Sequence, residues 1–436
     1  MNKYNEYGLK VPEILLPKDK DLKSWSVIAC DQYTQSPEYW NKVKQCVNGK
    51  PSTLNIIYPE VYLGEKDRKA RIDGIKATMK DYLEKGVFDE AQEELIYIER
   101  KTEYGRIRKG LIAALDLECY EWKPMSKALV RATEATIVER IPPRKEIRNE
   151  APIELPHIML LVNDPSSSLI EKTGSLAKKN HPLYDGDLML DSGHITGWAV
   201  KDGECLDNVE KALKALKEAN TSSDGSCFLF AVGDGNHSLA TAKAVWDEYK
   251  EKTGLKDSPV RYALVEIVNI YDAGLTFEPI HRVMFAKNRQ ELFDYIKKSL
   301  ENDYNCVEKS YDLSSEMEEN VRKSKGNIGF AFQDKNGMVS YKALETDIKD
   351  LAVSVIQPIL DRYIKEHDCK IDYIHGSDEL FRLCDKDDSF CIMLPPVDKE
   401  SFFGTISSRG PLPRKSFSMG EASEKRFYLE CRKLFS

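Results

Sequence analysis

Seven histidines in 436 residues give little material for a transition-metal centre, and none has a second histidine four positions away. The ten cysteines include no Cys-x-x-Cys pair, which excludes a zinc knuckle or thioredoxin-type motif. No run approaches the ~18 apolar residues of a membrane helix. Residues 1–10 carry no apolar signal core, and no Gly-x-Ser-x-Gly elbow points to a serine hydrolase. No basic stripe offsets the formal net charge of −8, so neither nucleic acid nor a membrane is an expected partner. Scattered thiols, with Cys227 and Cys391 inside apolar runs, predict a reducing, cytoplasmic setting with most cysteines free.

What is present suits a globular chain with a sizeable core, at 41% hydrophobic and 31% charged residues. Strand-like and helix-like stretches alternate, predicting a mixed α/β fold. Residues 25–30, 96–99, 106–115, 158–162, 195–200, 227–232, 262–270 and 275–280 read as strands. Residues 328–332 and 339–343 flank Asp334-Lys335-Asn336-Gly337, a hairpin signal. Helical periodicity marks residues 66–85, 206–219, 239–249, 288–300 and 347–366, the last with Pro358 inside. Residues 140–150 read as a cationic loop with Arg140, Arg144 and Arg148. No linker separates domains cleanly. The expected organisation is an N-terminal α/β region over 1–150 packed on a phosphate-binding core over 151–310, with a C-terminal α/β region over 311–436 that completes the same fold; a single elaborated domain is the alternative.

The sharpest local feature is Gly233-Asp234-Gly235-Asn236-His237-Ser238, between an unbroken apolar strand and an amphipathic helix. Such a turn brings backbone N–H groups and the positive end of a helix to one point, a geometry that binds phosphate. Gly233 and Gly235 permit positive φ and close approach. Asp234 can act as a general base, a hydroxyl-orienting group or a Mg²⁺ contact, while Asn236 and His237 can donate to an anion. Ser238 stands where a dinucleotide fingerprint needs its third glycine, and no Gly-Lys-Ser/Thr ends the turn as a Walker loop would. The competing reading is a tight connection in which Asp234 caps the helix.

Two further clusters carry phosphate chemistry. His281 and Arg282 combine a titratable ring with a permanent cation at a strand end, although a His-Arg pair in ordinary salt bridges has the same sequence. Arg131 and Glu134 lie ahead of the 140–150 cations, and arginine forks match phosphate or carboxylate; a solvated charge run is the alternative. His157, before an apolar strand, reads as a satisfied structural residue. His181, His194 and His375 fall in polar turns, and His367 at an exposed helix end.

Together these segments resemble the bacterial and archaeal SerK-like free-serine kinase family, long catalogued as a domain of unknown function. Its signature, Asp-Gly-His-His-Arg after a strand, stands here as Asp234-Gly235-Asn236-His237-Ser238. Residues 55–60, 110–116, 155–165, 279–282 and 412–417 also look like the family, so the likeness spans nearly the whole chain. The resemblance implies a ParB/sulfiredoxin-like core elaborated with additional mixed sheet and helices. It implies phosphoryl transfer from ADP or pyrophosphate to the hydroxyl of free L-serine, giving O-phosphoserine, with Mg²⁺ accompanying the donor and no organic cofactor. Asp234, Gly235 and His237 take the family's roles. The family's glutamate base has no aligned counterpart, and Glu134 is the candidate from local chemistry. Asn236 and Ser238 depart from the signature, and the lost arginine removes a bidentate phosphate contact; pyrophosphate is therefore the favoured donor, with cations from residues 131–148 or Arg282. The alternative function is a ParB-like nucleotide-binding regulator without kinase activity.

Overall fold

A computed structural model describes residues 3–135, 141–334, 337–384 and 388–435. The fold is mixed α/β, as expected. The chain forms two compact units, one from residues 1–275 with 421–436, the other from residues 276–420. This partition differs from the three consecutive segments expected. The reason lies in the C-terminal tail: Phe427–Tyr428 pairs with Val27–Ile28, and Arg432–Lys433 pairs with Ile153–Glu154. Pairings between such distant segments leave no signal in local periodicity.

The main-sheet strands of the first unit are β1 (Leu9–Lys10), β2 (Leu95–Lys101), β3 (Ile107–Asp116), β4 (Tyr120–Glu121), β5 (Val130–Ala132), β6 (Met159–Val162), β7 (Tyr184–Asp187), β8 (His194–Val200), β9 (Phe230–Asp234) and β10 (Tyr262–Asn269). They form one sheet in the order β7-β8-β2-β3-β10-β6-β9-β5-β4, with β1 on β3. The β6/β10, β9/β5 and β5/β4 pairs are parallel, and the rest are antiparallel. Strand periodicity sorts the core. On β3, Leu111, Ala113 and Leu115 join one apolar cluster, while Ile112 joins the cluster on the other face.

The longer helices of this unit are α1 (Pro37–Val47), α2 (Arg68–Glu84), α3 (Ile141–Arg148), α4 (Ile170–Ala177), α5 (Gly203–Ala219) and α6 (Asn236–Thr253). Helix α5 buries Val209, Ala212, Leu213 and Leu216, the stripe its spacing predicts. The cationic 140–150 stretch is not a loop: residues 141–148 are helical and pack on α6. Pro142 and Pro143 fall in its first turn, where a missing N–H costs no helical bond. Arg140 lies outside the described residues.

The second unit is a seven-stranded antiparallel sheet. Its strands are β11 (Phe277–Phe285), β12 (Cys306–Tyr311), β13 (Ile328–Gln333), β14 (Val339–Thr346), β15 (Lys370–His375), β16 (Ser389–Met393) and β17 (Phe417–Met419), in the order β12-β14-β13-β16-β11-β15 with β17 on β11. The expected β13/β14 hairpin forms, although Lys335 and Asn336 of its turn lie outside the described residues. Asn288 caps the Arg289–Glu301 helix, its Oδ1 accepting from Glu291 N at 3.2 Å. The helix expected over 347–366 starts later, at Ala352–Glu366, with Pro358 inside it. Cys384 and Cys391 are joined as a disulfide, and the other eight cysteines are free. Among the described residues no helix is long and apolar enough to cross a membrane.

Candidate functional site

Strand β9 ends inside the glycine turn. Gly233 and Asp234 close the strand, Gly235 takes φ +78° and ψ +26°, and α6 starts at Asn236. The left-handed conformation is the one glycine tolerates without strain, and a Cβ here would stand 3.1 Å from Ile158 Cα. The first helical bond runs from Leu239 N to Gly235 O at 2.9 Å. The N–H groups of the first turn therefore lie at the positive end of an 18-residue helix.

Asp234 does not cap the helix. Its Oδ1 accepts from Gly235 N at 2.9 Å, and its Oδ2 stands 3.3 Å from the Lys425 ammonium. Both side chains are half-buried, with Asp234 23% and Lys425 13% exposed. Lys425 was not among the candidates from sequence. It arrives on the C-terminal tail and supplies a cation beside the turn, in the chain whose signature arginine is replaced by Ser238.

Asn236 faces inward. Its Oδ1 accepts from Thr133 N at 3.2 Å, and its Nδ2 donates to Thr133 Oγ1 at 3.3 Å and Val232 O at 3.2 Å. The side-chain amide expected to reach an anion instead ties α6 to the end of β5, so only its backbone N–H is available to the turn. The same contacts place Thr133 beside the turn, next to the parallel β5/β9 pairing, and Glu134 follows it in the sequence, half-buried. His237, in the first turn of α6, is half-buried, and its carbonyl accepts from Thr241 Oγ1 at 2.7 Å.

Ser238 points to the other side of the helix end, where its Oγ lies 2.8 Å from His157 Nε2. The Tyr428 hydroxyl meets His157 Nδ1 at 3.0 Å and accepts from Cys30 N at 3.3 Å. These residues border a cavity of about 150 Å³ whose wall is otherwise largely apolar, with Ile57, Leu63, Met79 and Ile147. Glu60 and Arg144, paired with each other, form part of its polar edge. Burial raises the Glu60 carboxyl above its ordinary value, against the opposing pull of Arg144.

Other predicted residues are engaged elsewhere. The Arg131 guanidinium lies over the Phe228 ring, 4.6 Å from its centroid, and its Nε donates to Ala128 O at 2.9 Å. Phe228 precedes β9, so this contact lies at the opposite end of the strand from Gly235. The cations of α3 are each matched to a carboxylate: Arg144 to Glu60, Lys145 to Glu248 and Arg148 to Glu154. His281 and Arg282 belong to the second unit. His281 Nδ1 accepts from Leu394 N at 3.1 Å, and Arg282 Nε donates to Gln357 Oε1 at 3.0 Å. Both are buried in β11, at 2% and 0% exposure, rather than presented at a strand end.

The family described as "Protein of unknown function (DUF1015)" matches residues 13–363. The chain belongs to that family. No curated protein matches it. Among solved structures, this family member is similar to a conserved hypothetical protein from Pyrococcus furiosus, at 10% identity over 71% of this chain and 90% of that one, with a TM-score of 0.35. It is also similar to a free serine kinase in complex with AMP, at 12% identity over 74% and 92% of the two chains, with a TM-score of 0.38. C-terminally truncated SbnI from Staphylococcus aureus follows at 11% identity over 70% and 84%, with a TM-score of 0.34.

The site residues that sequence reasoning missed are Lys425 and Tyr428. Neither sits in a motif, and their sequence neighbours give no sign of the turn they approach. His157 was assigned a structural part; both its ring nitrogens are hydrogen-bonded, yet it lines the cavity.

Proposed function

We propose that this protein is a small-molecule phosphotransferase that moves a phosphoryl group from pyrophosphate or ADP to the hydroxyl of free L-serine, giving O-phosphoserine. The observation that carries the reading is the end of β9, where the Asp234 carboxylate, the Lys425 ammonium and the N-terminus of α6 meet. Phosphoryl transfer asks little covalent work of a protein beyond positioning and charge stabilisation. The N–H groups around Gly233–Ser238 and the Lys425 ammonium receive the donor's phosphate oxygens, with His237 as a further donor. Asp234 orients the acceptor hydroxyl and takes its proton, and Glu134, next in sequence to Thr133, is assigned as the second carboxylate. The reading leaves Arg131, His281 and Arg282 outside the site, because their guanidinium and ring atoms are engaged elsewhere.

Mg²⁺ prefers hard oxygen ligands, typically one or two carboxylates plus substrate phosphates. Asp234 and Glu134 have that chemistry and would hold the ion with the donor, where it would neutralise phosphate charge. Among the described residues no group of three His, Cys, Asp or Glu forms a metal cage, which is compatible with an ion carried in by the donor. Lys425 presents a point charge rather than the two-pronged guanidinium of the family signature, which favours the compact pyrophosphate over a nucleotide.

The test is a matrix of pyrophosphate, ADP and ATP against L-serine and other small alcohols, read by ³¹P NMR and mass spectrometry. O-phosphoserine formed from pyrophosphate or ADP is the expected product. Nucleotide binding with no phosphorylated acceptor in any combination would replace this reading with that of a ligand-binding regulator.

A further inference from the structure

The cavity of about 150 Å³ lies wholly within the first unit, and its lining includes neither Asp234 nor Lys425. It is a separate space from the end of β9, although Ser238 at its border belongs to the first turn of α6. Protein interiors hold few voids larger than a water molecule, so a space of this size is an exception to close packing.

The polar side chains at its border are already paired within the protein. Glu60 meets Arg144, and Glu154 meets both Arg148 and Arg432. The Tyr58 hydroxyl donates to Tyr62 O at 3.0 Å, and Thr241 Oγ1 donates to His237 O at 2.7 Å. His157 is held at both ring nitrogens, by Ser238 and Tyr428. With each charge matched, none is left to neutralise a charged guest, and burying an unpaired charge is costly. A buried water needs about two to four polar partners, which the wall of Ile57, Leu63, Ile147 and Ile153 does not supply. Size and polarity together select an uncharged, compact hydrocarbon body, since a cavity of about this volume accommodates a benzene-sized ring.

Two further features narrow the class. Tyr58, His157 and Tyr428 contribute rings to the lining, and Met79 contributes a thioether. Aromatic pairs favour edge-to-face and offset contacts, and sulfur favours ring edges. The Ser238 hydroxyl, half-buried at the border, is 2.8 Å from His157 Nε2. A hydroxyl keeps at least one spare lone pair whether it donates to that nitrogen or accepts from it. Ser238 can therefore receive an O–H from a guest in either tautomer of His157.

We propose that this cavity is a binding site for an uncharged monocyclic aromatic compound bearing one hydroxyl, a simple phenol, with its ring against Ile57, Met79 and Ile147 and its hydroxyl at Ser238. The site is independent of phosphoryl transfer and goes beyond that reading.

The full chain, labelled with ¹³C at its methionine methyl groups, is titrated with phenol, benzene and benzoate and followed by NMR and calorimetry. Phenol should bind once per chain and move the Met79 methyl signal by ring current, that signal being identified by its loss in Met79→Leu. Benzoate, a ring carrying a charge, should bind at least about tenfold more weakly. Ser238→Ala should weaken phenol about fivefold, the worth of one hydrogen bond, and leave benzene unchanged. Ala151→Leu, which enlarges a buried lining side chain, should abolish binding of both. An unmoved Met79 signal at about 10 mM phenol, far weaker than a ring seated in a cavity of its own size should bind, would overturn the site. Benzoate binding as tightly as phenol would overturn the ligand class, and phenol binding unchanged in a folded Ala151→Leu would place the ligand elsewhere. Should Ala151→Leu fail to fold, the Met79 signal and the benzoate comparison decide on the unaltered protein.

Discussion

The Lys425 ammonium stands 3.3 Å from the Asp234 carboxylate at the end of β9, where the same carboxylate receives the Gly235 N–H at 2.9 Å. An aspartate after an apolar strand and before a helix is commonly a cap. This one is turned to a cation and to its neighbouring N–H, leaving the helix end to bind something else. The pair is only partly shielded from water, so its value lies in placing two opposite charges at one point more than in stability.

Removing either charge should therefore affect turnover before folding. Asp234→Asn is expected to lower the rate of O-phosphoserine formation by about 10²-fold or more, with little change in thermal midpoint. Lys425→Met should raise the donor KM about tenfold, equivalent to roughly 1.4 kcal/mol of lost binding, and Lys425→Arg should restore part of it. Steady-state kinetics and thermal unfolding of the three variants separate these effects.

Asn236→Ala should act the other way round. Its amide satisfies Thr133 N and bonds to Val232 O inside the core, and an orphaned buried N–H costs about 1–3 kcal/mol. Urea unfolding should show that loss. A fully stable variant with a raised donor KM would instead put the side chain on the phosphate.

Gly235→Ala tests the turn itself. At φ +78° an alanine costs about 1–2 kcal/mol in the left-handed region, and its Cβ would meet Ile158 Cα at 3.1 Å. Both a lower unfolding free energy and weaker donor binding are expected, measured by urea unfolding and calorimetric titration.

The second unit should show an acid limb traceable to His281. Burial, with Arg282 beside it, pushes the ring down to about 4 from an ordinary 6.5. The unfolded chain then binds the proton first, so stability falls as pH drops from 6.5 toward 4 and levels below that. The full effect is roughly 3 kcal/mol. His281→Gln keeps an acceptor for Leu394 N without titrating, so its stability should be flatter across that window in unfolding experiments from pH 4 to 7.5.

Local patterns were legible where neighbours in the chain are also neighbours in space. The amphipathic stripe of α5, the β2/β3 pair, the apolar approach to Asp234 and the strand-to-helix change at Gly235 all follow from side-chain spacing and backbone freedom. The 140–150 cations misled, because two prolines suggest a loop although they suit a helix's first turn. Arg131, His281 and Arg282 looked like anion ligands because charge is visible in a sequence and burial is not. In the fold they are occupied by Phe228, Leu394 N and Gln357.

The chain's own sequence determined the mixed α/β character and the glycine turn, since both depend on contacts within a few residues. Which groups stand around that turn was decided only by tertiary structure. The tail at 421–435 returns to pair with Val27–Ile28 and Ile153–Glu154, carrying Lys425 to Asp234 and Tyr428 to His157. The parallel β5/β9 pairing likewise turns Asn236 inward to Thr133. Hydrogen bonds and ion pairs act over about 3 Å, and only the folded chain brings residues this far apart in sequence within that distance.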